Sequence, residues 1–407
     1  MAFQSNSNAI VAYKVQSALG SQASGAGGTQ LRVSGGGGGS LTMASTASNE
    51  IRSDGMVTRG RHGTQKTAGA WTGELSLGSH EKIMEAVMRD TWSTADLTTT
   101  QADFTSLTTT TGAIVLASGN PITLGYRVGD VIELLTQDAG NNSRNLRITG
   151  LSATTITVAE TLILNATPDT TCSIVRRGKK LIQSGTLVKR YFTVDEYDVD
   201  IDLSEVMTDF VWSKLRFAMT ANGEISCDPD GMGTGQFSVK ATGTSPFLTS
   251  PTLSAGLPMS VVDATIRLGG SDQVALSSFD LTIDIVPNAP DVFGSGTIKY
   301  SPDVFTGQTQ IGINFTALRT DLQLMADYLA EVVYSFHILA VENTAEPKNF
   351  ISIFVPNATL GGVVKSALSK QGGGRTVAVS VPPALIGIDN TGTGYDACMI
   401  KFQSTGA

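Results

Sequence analysis

Twice in this chain of 407 residues an alternating strand pattern runs directly into a short amphipathic helix. No other feature constrains the fold as strongly. The first unit spans Asn49 to Trp92. Asn49–Asp54 leads to Trp71-Thr72-Gly73-Glu74-Leu75-Ser76-Leu77, where Trp71, Leu75 and Leu77 share one face at a period of two. Gly78 breaks the strand, and Ser79 is placed to cap the helix that follows. Ile83 and Val87, with Met84 and Met88 beside them, form i,i+4 rows that make a single packing stripe. Arg89 suits the negative end of the helix dipole. The second unit is a strand at Gln310–Phe315, then a helix from about Thr320 to Ala330 with Leu322, Met325 and Leu329 on one face and Tyr328 beside them.

A chain of this length can bury more than one core, and two or three domains are expected. The 44 glycines, the many Ser and Thr residues and the short apolar runs between turns point to an all-β chain. With 28 basic against 36 acidic residues, net -8, the chain is not expected to grip nucleic-acid phosphates. Cys172, Cys227 and Cys398 lack CxxC spacing and read as small buried hydrophobes of a chain made in a reducing cytoplasm. The first residues lack a secretion-signal pattern, and no apolar run approaches membrane-span length.

In chain order, Gly20–Ser48, with its run Gly35–Gly39, reads as a flexible arm that orders only against a neighbouring chain. It is not a phosphate loop, because no Lys-Ser/Thr follows at P-loop spacing. Thr98–Thr111 reads as a threonine-rich connector into a small barrel-like β insert over Ile114–Val175, with strands near Val131, at Asn145–Thr149 and at Thr155–Val158. The insert's polar, turn-prone ends suggest an outer module that can be excised. Tyr191–Leu203 reads as one strand with Asp198, Asp200 and Asp202 on its wet face. Lys214–Thr220 and Gly235–Ala241 form a hairpin around an Asn222–Gly233 loop, and Thr242–Pro258 is a linker. The second half repeats the plan, with strands at Ala264–Leu268, Phe279–Val286, Gly296–Tyr300, Phe336–Glu342, Asn349–Val355 and Arg375–Val381.

Reactive chemistry finds little support. His62, His80 and His337 lie in separate elements, His80 on an expected exposed helix turn, and no HExxH pattern occurs. The acid pairs Asp198/Asp200 and Asp280/Asp284 have the residue types of a glycosidase, yet their regular spacing marks a solvated sheet face. Gly231-Met232-Gly233-Thr234-Gly235 precedes no helix and reads as a loop rather than a phosphate cradle. No catalytic, cofactor-binding or metal-binding residue is assigned.

Three groups of residues carry a family resemblance. They are Asn49–Ser53 with Gly73-Glu74-Leu75-Ser76 and Glu81, Glu85 and Ala86; Phe192-Thr193-Val194 through Ala221-Asn222-Gly223-Glu224-Ile225 to Gly235-Gln236-Phe237-Ser238; and Ser278–Ile283 with Pro302-Asp303-Val304-Phe305. In order and spacing they resemble the tail tube proteins of long-tailed, siphovirus-type bacteriophages. The glycine-rich arm and the part after Gly361 depart from that pattern.

The resemblance implies a mainly β fold of two tandem tube-type sandwich or barrel modules, each with one flanking helix, plus the small all-β insertion domain. The boundaries are 1–97 and 179–247 for the first module, 98–178 for the insertion and 248–407 for the second. It further implies a virion tail subunit that forms stacked rings with itself, three chains closing a pseudo-sixfold ring. A tape measure protein and a tail terminator are the implied partners, with no membrane and no cofactor. DNA passes through the lumen without specific binding, so a negative wall is expected there. Asp280 and Asp284 are its first candidates, and Asp198, Asp200 and Asp202 the next. The competing reading is a β-rich virion surface adhesin or receptor-binding protein, which should carry an export signal or an aromatic-rich face. Aromatics are only 6% of this chain.

Overall fold

The computed structural model describes residues 3–407 except 95, 138–139, 184, 242, 274, 294–298, 344, 371–372 and 389–393. The organising elements are β1 (Ala9–Val15), β2 (Val33–Thr46), β3 (Arg61–Glu74), α1 (Glu81–Met88), β4 (Lys179–Ile182), β5 (Phe192–Asp198), β6 (Leu203–Thr220) and β7 (Ser226–Lys240). After these come β8 (Leu276–Asp284), β9 (Gln310–Leu318), α2 (Gln323–Leu329), β10 (Val333–Val341), β11 (Phe350–Thr359), β12 (Gly362–Lys365), β13 (Thr376–Val381) and β14 (Lys401–Ser404). The chain is mainly β, and among the described residues none of its sheets closes.

β6 joins the two halves. One edge pairs with β7 along nearly its full length, while the other is divided: Leu203–Phe210 take β5 and Lys214–Thr220 take β8. The register shifts between Thr208 and Phe210, where Asp209 adopts a positive φ of 55°. An antiparallel path β2–β3–β7–β6–β8–β9–β13–β12 therefore crosses both halves without a break. A second sheet runs β4–β14–β11–β10 and then Thr265–Leu268. The two pack face to face through pairs such as Phe217–Phe402 and Phe315–Phe336, with ring centroids 5.9 and 6.0 Å apart. Both halves feed one apolar core.

Several elements differ from the sequence expectation. β3 pairs with the glycine-rich β2, and residues 47–60, including Asn49–Asp54, form the loop at the hairpin's tip. Glycine serves there because a Cβ at Gly36 would collide with the backbone of Ala70 and Trp71. The Gly231–Gly235 segment lies inside β7, since the β6–β7 turn occupies only residues 221–225. Side chains at Gly231 and Gly69 would overlap the rings of Phe210 and Trp71, so these glycines form a floor for the aromatic cluster. The expected Tyr191–Leu203 strand ends at Asp198, and residues 199–202 turn. Thr98–Thr111 contains parts of two strands, Leu97–Thr99 and Leu107–Thr109. The Thr242–Pro258 stretch is tied down rather than free: Leu248 N donates to buried Asp195, and Thr252–Leu253 pairs with Thr29–Gln30. Of the expected Gly296–Tyr300 strand, 296–298 lie outside the described residues, and Tyr300 bridges to Gln65.

Both helices also need correction. The Ser79 hydroxyl does not cap α1. The Glu81 carboxylate instead accepts the amides of Gly78 (2.7 Å) and His80 (3.1 Å). Arg89 sits at the C-cap with φ 53° and reaches across to the Gly307 carbonyl and the Thr309 hydroxyl. In α2, Leu322 and Leu329 are exposed and Met325 is half-buried, whereas Leu324 and Tyr328 face the core. Hydrogen bonds from Tyr334 and Gln323 to buried Asp327 hold this short helix in that rotation.

Residues 97–176 form their own eight-stranded open sheet over a separate apolar cluster, not a closed barrel. This insert is nevertheless fastened to the second half. Lys401 of β14 and Asp130 of the insert are both almost fully buried, with Nζ 2.7 Å from Oδ1. The same ammonium reaches the Val128 carbonyl and Asp396. Burial works against its charge, yet Asp130 and Asp396 hold it above its ordinary pKa. Gln403 bonds both the amide and the carbonyl of Val131, and Phe354 of β11 enters the insert's own cluster. Without Asp130 the buried ammonium keeps only the longer contact to Asp396, which Lys180 shares, and the Val128 carbonyl, so its charge is left under-compensated. Asp130→Ala is predicted to cost roughly 3–5 kcal/mol in denaturant unfolding, with most of the loss recovered by adding Lys401→Met. Unchanged stability of Asp130→Ala would show that the insert is not held this way.

Candidate conduit face and open sheet edges

Alternation along the long sheet sorts its residues into two faces. Thr67, Trp71, Leu215, Phe217, Leu281, Ile283, Ile313 and Val379 turn to the core. Their neighbours Lys66, Ala70, Lys214, Arg216, Asp228, Asp230, Asp280, Asp284, Asn314 and Ser380 therefore share the opposite, wetted face. Charge is concentrated on its three middle strands. Arg216 Nε donates to Asp280 at 2.6 Å, and its Nη1 lies 3.3 Å from Asp228. Lys214 lies 3.6 Å from Asp230. The bond to Asp280 raises the Arg216 pKa. Burial pushes the Asp228 carboxyl up, and Arg216 pulls it back. Asp284, directly across from Lys214, accepts the Val286 amide.

The structure thus brings Asp280 and Asp284 together but separates them from Asp198, Asp200 and Asp202. Asp198 ends β5, and its carboxyl is raised by burial and by Asp200. Asp200 accepts the Ser5 amide, and Asp202 accepts from the Tyr197 and Ser245 hydroxyls. These three belong to the β5–β6 turn, at the far end of β6 from its β8 pairing. Asp228 and Asp230, on the charged face, lie in β7 and not in the loop expected over Asn222–Gly233. Their signal was the alternation of small residues at Cys227, Gly231 and Gly233 with polar ones at Ser226, Asp228 and Asp230.

The stripe residues Ile83, Met84, Val87 and Met88 are all buried under α1. His80 is fully buried rather than exposed. Among the described residues neither ring nitrogen meets a partner in full hydrogen-bond geometry, and burial lowers its pKa to about 4 against the opposing pull of the Ser76 backbone. His337 Nε2 lies 2.8 Å from the Ser352 hydroxyl inside the second sheet. His62 is exposed near the start of β3. Among the described residues no group of three His, Cys, Asp or Glu side chains is placed to hold a metal ion. No helix there is long and apolar enough to cross a membrane.

Among the described residues the eight-strand path ends in β2 on one side and β12 on the other, each with one free edge, while a branch from β6 through β5 and β1 ends separately at Thr252–Leu253. An open-edged antiparallel sheet with one wetted face, backed by a second sheet, offers edge strands on which a further chain can pair. Comparison with known families supplies the class: residues 6–380 match the phage tail tube protein family, and the chain belongs to it. No curated protein matches. The chain is a structural, tube-forming component of a phage tail.

The charged middle of the wet face yields a test of its own. With Arg216→Gln, Asp228 keeps its half-buried site and loses its cation, so its folded pKa rises further above the ordinary value. A carboxyl raised on folding costs stability wherever it must be ionised. The variant should lose about 1 kcal/mol at pH 7, a figure discounted for solvent screening. The deficit should vanish as the pH falls below about 4. A deficit that does not change with pH would remove the ion pair as its cause.

Proposed function

We propose that three chains close edge to edge, β12 of one against β2 of the next, into a ring whose wet faces line a channel. Stacked rings then form the tail tube through which a siphovirus-type phage delivers its genome. The observation that carries this reading is the unbroken eight-strand path containing two hairpin-and-helix units, β2–β3 with α1 and β8–β9 with α2. One chain thereby supplies two equivalent wall segments, and a heterologous edge contact that closes after three copies leaves no free edge along that path. The tape measure protein and tail terminator follow as partners from the family.

The wet face suits a channel for DNA. Glu74, Asp228, Asp230, Asp280 and Asp284 face Lys66, Lys214 and Arg216, five carboxylates against three cations. The flanking β9 and β13 contribute Asn314, Thr316, Ala378 and Ser380, which carry no charge. The cations are engaged within the wall: Lys66 with Asp291, Lys214 with Asp230, and Arg216 with Asp228 and Asp280. A wall of this sign does not bind phosphates by counterion release, and its repulsion extends about 8–10 Å at physiological salt.

Asp284→Lys adds positive charge beside Lys214 and leaves the Arg216–Asp280 pair intact. Virions carrying it should assemble normally and release DNA more slowly, with a larger deficit at low salt, as followed by dye fluorescence. Release kinetics identical to wild type at every salt concentration would take Asp284 out of the channel.

A further inference from the structure

The two ends of the long sheet carry opposite, unsatisfied surfaces. β3 pairs with β7 from Glu74 opposite Ser226 to Thr67 opposite Gly233, so the β2–β3 tip projects from the end away from the 221–225 turn. β8 runs from Ser278, opposite Thr220, to Asp284, opposite Lys214, so the loop after it leaves from the same end as that tip. Thr64 and Lys66 tie the two together by contacting Asp291. At this hairpin end Ile51 and Phe293 are almost completely exposed. Arg59 and Arg61, with His62 and Lys299, line a cleft of about 800 Å³. Neither arginine makes an ion pair among the described residues. The tip's own acids are committed, Asp54 to Arg52 and Glu50 to the Thr58 hydroxyl. On a chain of net charge -8 this is a local cationic surface.

Roughly 40 Å away, counting 3.3 Å for each residue of β3, lies the turn end. There the 221–225 turn is bound to 259–263 through Val261 N to the Gly223 carbonyl and Ile225 N to the Met259 carbonyl. Glu224 and Asp263 are exposed on it without an ion pair among the described residues, beside the exposed Val262.

We infer that the hairpin end of one copy docks on the turn end of another, with Arg59 and Arg61 meeting Glu224 and Asp263 around an apolar contact from Ile51 and Phe293. The inference rests on the tube reading and deepens it by naming the contact between rings. Two different surfaces at opposite ends of the same strands make a head-to-tail interface that does not close, which is the geometry of a filament. Opposite charge fixes register and rejects head-to-head pairing, where arginine would face arginine.

The test is charge reversal in the full chain, read by negative-stain microscopy for tubes and by sedimentation for rings. Arg59→Glu with Arg61→Glu should abolish tubes and leave rings, as should Glu224→Lys with Asp263→Lys. Mixing the two variants, or combining all four changes in one chain, should restore tubes. The milder Arg59→Gln with Arg61→Gln should raise the protein concentration needed for stacking, and so should added salt on wild type. Reversed variants that stack like wild type, or mixtures that fail to rescue, overturn the interface while wild-type tubes preserve the tube reading. A wild-type chain that forms neither rings nor tubes overturns both.

Discussion

The structure depends on how Trp212 is packed in the middle of β6. Its ring meets Phe210, Trp71, Tyr13 and Phe192 edge-on at 5.0 to 6.3 Å. These rings come from four strands, β6, β3, β1 and β5. They fit because Gly69 and Gly231 present no side chain beneath them. Trp212 also lies in the gap where the divided edge of β6 passes from β5 to β8. The cluster therefore fixes the first half at the same point where the sheet continues into the second. Aromatic pairs of this kind contribute about 0.5–1.5 kcal/mol each beyond their buried area.

From that joint the remaining architecture follows. Because β8 continues the sheet begun by β3 and β7, the second hairpin-and-helix unit lies beside the first and not behind it. The second sheet covers both units and leaves the other face of the long sheet wet. The insert enters between α1 and β4, and its attachment through Asp130 and Lys401 places it on the second half, so it bridges the two units instead of hanging from one.

Much of this was legible in the sequence wherever period-two alternation was strong. Phe279–Ile283, Gln310–Phe315 and the late strands near Phe336, Asn349 and Arg375 fall where the pattern placed them. Glycine-rich segments misled, because composition reports conformational freedom and not the packing that uses it. Gly35–Gly39 and Gly231–Gly235 are strands whose missing side chains make room for neighbouring backbone and rings. The acidic run from Asp198 to Asp202 alternates like a strand but contains a turn closed by its own side chains, which periodicity cannot reveal. On the wet face, Asp280 and Asp284 were visible as alternating acids, while their cations Lys214 and Arg216 and the acids Asp228 and Asp230 depended on strand register. Register is set by tertiary pairing and by the bulges in β6. In α2, buried Asp327 outweighed the pattern of leucines.

The central claim is that one chain supplies two wall segments and that its wet face lines the channel. The most direct measurement is a cryo-electron microscopy reconstruction of the assembled tube. The account predicts three chains per ring, β12 of each hydrogen-bonded to β2 of the next, with Asp280 and Asp284 on the inner wall. A ring of six complete chains, or a ring with that face turned outward, would contradict it.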